Sequence, residues 1–342
     1  MNTLRPIAPL EIIAALLVLA ALYLGRSLFA PVAIALFIVA VAWPLQRTLQ
    51  RRMPRVLAMV ATLIATAAVV AAMASVVLWG LSRATQWAIA NAASFQAYYQ
   101  RMDAWLEGHG LYLASEFIHN FDPRWLIGVM QMVGVGLQQI ASFVVIALVF
   151  VVLGLLEVDA MRVKLVQAGR ADIVDACRAT ASKFQRYMVI RSAMSAATGL
   201  GVWALSYALG VDLAVEWGVI AFALNFIPFL GPLFATVLPT LFAIAQFGFG
   251  MVPLVIFAGL NVVQFLIGSY LEPRIAGHRL SVSPFLVLFA VFLGSMLWGI
   301  AGAFIGVPVL IALITFAEHH PAMRSWAVLL AGDEAVEKTQ AE

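Results

Sequence analysis

The string Asn225-Phe226-Ile227-Pro228-Phe229-Leu230-Gly231-Pro232 brings together a side-chain amide, two prolines and a glycine. Proline removes a backbone donor, glycine permits left-handed turns, and Asn225 supplies a donor and an acceptor beside the carbonyls that Pro228 and Pro232 leave unpaired. A polar break of that kind can hold a small hydroxylated solute or a dehydrated cation, or it can be a packing kink in which Asn225 ties helices together. Asn261 and Gln264 lie three apart on one helical face, where they can line the same cavity or hydrogen-bond between helices. Gly299 and Gly302 mark a second break, and Gly302 with Gly306 makes a GxxxG that suits the close approach of two hairpin arms. Glu272-Pro273-Arg274 can be a gate whose Glu272–Arg274 pair opens during a cycle, or a headgroup anchor with Pro273 ending the helix. Asp212 and Glu216 stand at the outer entrance to the first break, as proton or cation carriers or as a solvated rim.

Other chemistries are missing from the letters. No GxxxxGK[ST] occurs, which removes phosphate binding of the P-loop kind. No GxSxG is present, and no nucleophile and base are paired by spacing. Gly199-Leu200-Gly201-Val202-Trp203-Ala204 matches GxGxxA, but it follows no strand, so close helix packing explains it. Glu318-His319-His320 and the Glu116, His119 pair lack a third metal ligand. Neighbouring histidines on a helix point about 100° apart, which favours capping or interfacial roles. Cys177, the single cysteine, can form neither an intrachain disulfide nor a thiolate cluster. The expectation is a protein that is not an enzyme and carries no cofactor and no metal.

The elements that must position these residues follow from composition. Of 342 residues, 64% are hydrophobic and 11% charged, against about 45–50% and 25% in soluble domains. Apolar runs spread from residue 10 to 317 exclude a soluble enzyme with one anchor, a disordered chain and a nucleic-acid-coating protein. The fold class expected is all-α, a polytopic transmembrane bundle of about six to eight segments. The net charge of +3 then reads as topology signal rather than as an anionic partner.

The apolar run Leu10–Leu24 after Arg5 could pass for a signal peptide. Pro31–Trp43 starts a second run at once, which instead predicts a retained helical hairpin turning at Arg26-Ser27. Arg47, Arg51, Arg52 and Arg55 place the next loop in the cytoplasm, and two crossings earlier the N-terminus as well. The third segment starts near Val56 and meets no proline before Pro123, so its helix can run on to about Glu107. Asp122-Pro123 then opens a fourth helix reaching about Glu157. Between them, residues 82–131 form an extracytoplasmic extension with interfacial aromatics. The basic residues from Arg162 to Arg191 return the chain to the cytoplasm, with Cys177 among them.

The fifth segment is 192–209. Two apolar stretches, 214–247 and 284–316, are then interrupted by Pro and Gly. The first would span about 51 Å as one straight helix, too long for a ~30 Å core, while halves of about 21–24 Å are too short. Broken or re-entrant hairpins fit, and a crossing helix plus a broken hairpin occurs twice, in inverted orientation. That pattern points to a secondary transporter with a midplane site. The organisation expected is scaffold helices over 1–158, a cytoplasmic amphipathic loop over 159–191, a transport unit over 192–317 and a cytoplasmic tail over 318–342.

NFIPFLGPLFATVLP and YLEPRIAGHRLSVSPFLVLFAVFLGSMLWGIAGAFIGVPVL, with the long polar segment between the third and fourth helices, resemble the AI-2E family of bacterial transporters. The resemblance implies an oligomeric secondary transporter of the inner membrane moving a small solute. It carries over Asn225, Pro228, Gly231 and Pro232, and Glu272, Pro273, Arg274 and Gly277, by matching position. The family is named for exporters of the quorum signal autoinducer-2, and some members are described as sodium/proton antiporters. The leading expectation is export of a small polar solute such as autoinducer-2, coupled to a proton or sodium. An antiporter needs a membrane-embedded carboxylate that the letters do not clearly provide. A non-transporting membrane scaffold is the third alternative. The expected partners are the lipid bilayer, the solute and further copies of the chain meeting through the extensions, with no nucleic acid. Both termini are expected in the cytoplasm.

Overall fold

The computed structural model describes residues 9–90, 108, 125–248, 250–276 and 283–320. Every element among them is helical, as lipid requires of a chain whose backbone polar groups must be satisfied within each segment or a closed barrel. In chain order they are α1 (Pro9–Leu24), α2 (Arg26–Gln50), α3 (Arg55–Ala90), α4 (Trp125–Gln167), α5 (Ala171–Ala208), α6 (Ala214–Leu224), α7 (Leu230–Phe247), α8 (Met251–Phe265), a π-helical turn (Leu266–Leu271), α9 (Glu272–Ala276) and α10 (Pro284–His319). Among the described residues, seven helices are long and apolar enough to cross a bilayer. The chain is a multi-pass membrane protein. Asp122-Pro123, Gly277, the Glu116, His119 pair and the reach of the third helix beyond Ala90 lie outside the described residues.

Helix ends are set by local chemistry. Gly169 (φ +72°) and Gly210 (φ +69°) stop α4 and α5 in left-handed conformation. The amide of Arg170 donates to Leu165 O at 2.9 Å and that of Val211 to Ser206 O at 2.9 Å, closing the last carbonyls of each helix. The stretch 159–191 is therefore two helix ends joined at Ala168–Arg170 rather than a loop. Pro239 lies inside α7 and Pro308 inside α10 without ending either, because a proline in a packed helix can bend it instead of stopping it.

The predicted hairpin at Arg26-Ser27 does not form. Gly25 is close to helical (φ −88°, ψ 21°), its amide donates to Ala21 O at 2.8 Å, and its carbonyl accepts from Phe29 at 3.0 Å. One such residue bends a helix and does not reverse it. Trp298 Nε1 donates to Leu22 O at 3.0 Å, beside the bend.

The chain divides into two compact units. One comprises Met1–Thr66, Phe143–Tyr187 and His278–Glu342. In it Ala35, Val39, Val151 and Leu155 are buried together. The basic α2–α3 turn is tied to α4 there, with Gln46 Nε2 donating to Leu155 O at 3.4 Å, Arg55 to Leu156 O at 3.2 Å, and Asp159 paired with Arg47 at 3.6 Å. Its α10 folds back on itself at Trp298 and Gly299, the latter at φ +62°. The second arm lies so close to the first that a β-carbon on Gly302 would overlap the Gly294 carbonyl, and one on Gly306 the Ala290 carbonyl. That closeness is the role expected of the GxxxG. His319 caps the helix, its Nδ1 2.8 Å from Thr315 O.

The other unit comprises Ala67–Ser142 and Met188–Gly277. Its α6 and α7 form a second helical hairpin, turning over Asn225–Phe229. From residue 192 the order of elements is thus long helix, short arm, reversal, long arm, given twice: α5, α6, α7, then α8–α9 and the two arms of α10.

Candidate functional site

The polar groups of the second unit gather on one face of α5. At about 100° per residue, Arg191, Ser195, Thr198, Val202 and Ser206 fall within a sector of roughly 80°. All five are buried, Ser195, Thr198 and Ser206 completely. Their enclosure comes from glycine. On one flank of the sector, a β-carbon at Gly199 would lie 2.7 Å from the Gly218 carbonyl of α6. On the other, one at Gly201 would lie 2.6 Å from Val263 of α8. Small residues let both helices close over the sector, which is the packing role expected of the GxGxxA letters.

Asn225 closes this face from the first hairpin. It is 3% exposed, and its Nδ2 donates to Ser195 Oγ at 3.4 Å. The carbonyls expected to stand free around it are occupied. Leu224 O, which the missing Pro228 donor would leave open, accepts from Ile227 N at 2.9 Å; Pro228 O, likewise left by Pro232, accepts from Leu230 N at 2.7 Å. Pro232 sits in the first turn of α7, where its missing donor would have been unpaired in any case. Gly231 is required because a β-carbon there would overlap the Leu224 carbonyl. Phe229 (φ +62°), not a glycine, takes the left-handed turn. The polarity of the hairpin end is therefore the Asn225 side chain rather than freed backbone.

The sector ends in a charge pair. Arg191, 6% exposed, reaches Glu272 with Nη1–Oε1 at 3.3 Å. Glu272 does not pair with Arg274, whose guanidinium lies 3.9 Å from the centre of the Tyr270 ring. Pro273 does not end the helix either, which runs on to Ala276. A π-helical turn, Leu266–Leu271, precedes it. Several polar atoms here are buried and have no partner: Arg191 Nε, Thr198 Oγ1, Ser206 Oγ and Gln264 Nε2. Buried polar groups are nearly always satisfied, so such a group calls for a ligand or water.

Beyond Thr198 the sector is sealed by apolar packing. Val202 is fully buried with Trp217, Ile220 and Ala221 of α6, Phe242 of α7, and Ile256 and Leu260 of α8. On the far side of that seal stand the two acidic residues at the start of the first hairpin. Glu216 is buried, 6% exposed, rather than solvated. Arg83 Nε holds it at 3.2 Å, and the first turn of α6 favours a carboxylate there. Asp212 accepts from Trp87 Nε1 at 3.0 Å, and its amide donates to Gln246 Oε1 at 2.8 Å.

The remaining candidates fall elsewhere. Asn261 is exposed, with Nδ2 bonded to Phe257 O of its own helix at 2.7 Å, whereas Gln264 is half-buried. Gly299 forms the reversal of α10, and Gly302 is a packing glycine in the second arm. Sequence reasoning missed Arg191, Ser195, Thr198 and Ser206. Their signal is the spacing of four polar residues on one face of an otherwise apolar helix, which hydropathy averaging hides.

A family model described as AI-2E family transporter matches residues 12–322. The AI-2 transport protein TqsA of Escherichia coli strain K12 is 31% identical over 218 residues, which cover 63% of this chain and 63% of that protein. A Borreliella burgdorferi protein described only provisionally as a transport protein is 31% identical over 199 residues, 57% of this chain and 55% of its own. A Haemophilus influenzae protein described in the same way is 27% identical over 222 residues, 62% of each chain. The chain thus spans less than two thirds of the length of these relatives. Its match to the family model runs through both hairpins and the helices that enclose the α5 sector, and the chain belongs to the AI-2E family of membrane transporters.

Proposed function

We propose that this protein is a secondary transporter of the bacterial inner membrane that exports a small, polar, oxygen-rich solute of the autoinducer-2 kind. One observation carries the reading: a fully enclosed polar face on α5, facing Asn225 and carrying hydroxyls without partners. Ser195, Thr198 and Asn225 bind the solute. The Val202 cluster seals the site on one side, and the Arg191–Glu272 pair latches it on the other. Both hairpins are re-entrant in this proposal. The 11 residues of α6 reach about 16 Å, and the first arm of α10 about 21 Å, each short of the ~30 Å hydrocarbon core. Residues 192–317, with their two inverted repeats, form the transport unit beside scaffold helices of 1–158, and exposure of the site alternates between the two sides of the membrane. Copies of the chain assemble through the extracytoplasmic segment.

Flux in proteoliposomes tests the function. The expected result is concentrative movement of autoinducer-2 against a proton or sodium gradient, lost in Asn225→Ala. A second reading, a sodium/proton antiporter, is supported by Glu216, the buried carboxylate that such chemistry needs. Sodium-dependent proton flux without solute, abolished by Glu216→Gln, would establish it instead.

A further inference from the structure

Among the described residues, Arg191 is a buried charged group whose donors are largely unsatisfied. A guanidinium offers five N–H donors in a planar fork that matches two acceptor oxygens at once. Here Nη1 has a single acidic partner at 3.3 Å, and Nε is buried without an acceptor. Its partner is unevenly placed, because the Arg191 side chain is 7% exposed and that of Glu272 is 38% exposed. Glu272 can therefore return to water at little loss, whereas Arg191 cannot. A buried cation left alone is strongly unfavourable, so any solute that displaces Glu272 must itself bring acceptor oxygens.

The neighbours of Arg191 supply the rest of a binding site. Ser195 lies one helical turn away on the same face, with Asn225 bonded to it, and Thr198 follows with its hydroxyl unpaired. We propose that Arg191 is a solute-binding residue which exchanges Glu272 for the carboxylate of a small hydroxylated acid, while Ser195, Thr198 and Asn225 take its hydroxyls. This rests on the α5 face being the solute site. Glu272 is then a stand-in ligand, occupying the acid subsite when it is empty, and neutral solutes use the hydroxyl subsite alone. The π-helical turn positions Glu272 for this, since the extra residue in that turn sets which face of the helix the carboxylate leaves from.

Ligand-induced thermal stabilisation of the purified full chain in mild detergent tests the exchange without requiring flux. Two probes of similar size serve, ribonate as the hydroxylated acid and xylitol as the neutral polyol. Ribonate is expected to stabilise the wild type, and Arg191→Gln to weaken its apparent affinity about tenfold or more, the scale of one charge-assisted bidentate contact. Glu272→Gln, which removes the competing carboxylate, is expected to tighten ribonate at least about threefold and to leave xylitol unchanged. The two substitutions thus move ribonate affinity in opposite directions, which loss of a merely structural ion pair would not do. Weakening by both variants, or ribonate binding undiminished in Arg191→Gln, would overturn the proposal. Should Arg191→Gln fail to fold, the rise or fall of ribonate affinity in Glu272→Gln decides it. Failure of autoinducer-2 flux would count against the proposed function and leave these binding results intact.

Discussion

Asn225 shows how much a single side chain carries when the backbone around it is satisfied. The turn from Leu224 to Leu230 uses its own amides to close Leu224 O and Pro228 O, so two prolines create no open carbonyl. What remains polar is the Asn225 amide and the buried Ser195 hydroxyl it touches. Asn225→Ala should leave the buried Ser195 hydroxyl without that partner, at about 1–3 kcal/mol, visible as a lower melting temperature in detergent together with loss of solute binding. Gly231→Ala acts differently. Its β-carbon would overlap backbone rather than a mobile side chain, so the turn must open, with a destabilisation of about 1–3 kcal/mol and no dependence on solute. A Gly231→Ala protein as stable as wild type would show that the hairpin end is looser than this packing implies.

At the scale of elements, what was legible in the letters was the reversal itself. Pro and Gly inside apolar stretches of the wrong length pointed to both hairpins, and the structure turns at Asn225–Phe229 and at Trp298–Gly299. Three things were not legible. Gly25 bends the chain where a hairpin was expected, because a near-helical glycine and a turn glycine are the same letter. Pro273 sits within a continuing helix that follows a π-helical turn, a feature with no residue signature in the sequence. The partner of Glu272 lies 81 positions away, beyond the reach of local spacing. The polar face of α5 was written in the sequence, but at a helical period within a segment identified by its mean apolarity. The hairpin arms supply their own test. A Gly302→Val side chain would meet the Gly294 carbonyl, whereas a β-carbon at Gly250 meets nothing. Gly302→Val should therefore abolish the folded state or lower its melting temperature strongly, and Gly250→Ala should change it little. Equal effects would mean that the arms of α10 separate freely.

The whole molecule turns on which side of the membrane each end lies. The proposed orientation starts from Arg47, Arg51, Arg52 and Arg55, which by the positive-inside rule favour the cytoplasmic side for the α2–α3 turn. If α1 and α2 formed a hairpin, two crossings would separate that turn from the N-terminus and both would be cytoplasmic. They form instead a single bent path, with helical hydrogen bonds on each side of Gly25. The bend lies beside Leu22, which accepts from Trp298 at the reversal of α10. α2 alone, 25 residues or about 37 Å, is long enough for the one crossing, with α1 continuing the same bent path on its outer side. The N-terminal residues are then outside, while the C-terminal end of α10 and Cys177 remain inside. An impermeant thiol reagent on intact cells should fail to label Cys177 and should label a cysteine introduced as Asn2→Cys in a Cys177→Ser background. In inverted vesicles the pattern should exchange. Labelling of Cys177 from outside would overturn the orientation of α4 onward. Protection of the Asn2→Cys thiol in cells, with exposure in inverted vesicles, would mean that α1 returns the N-terminal residues to the cytoplasm.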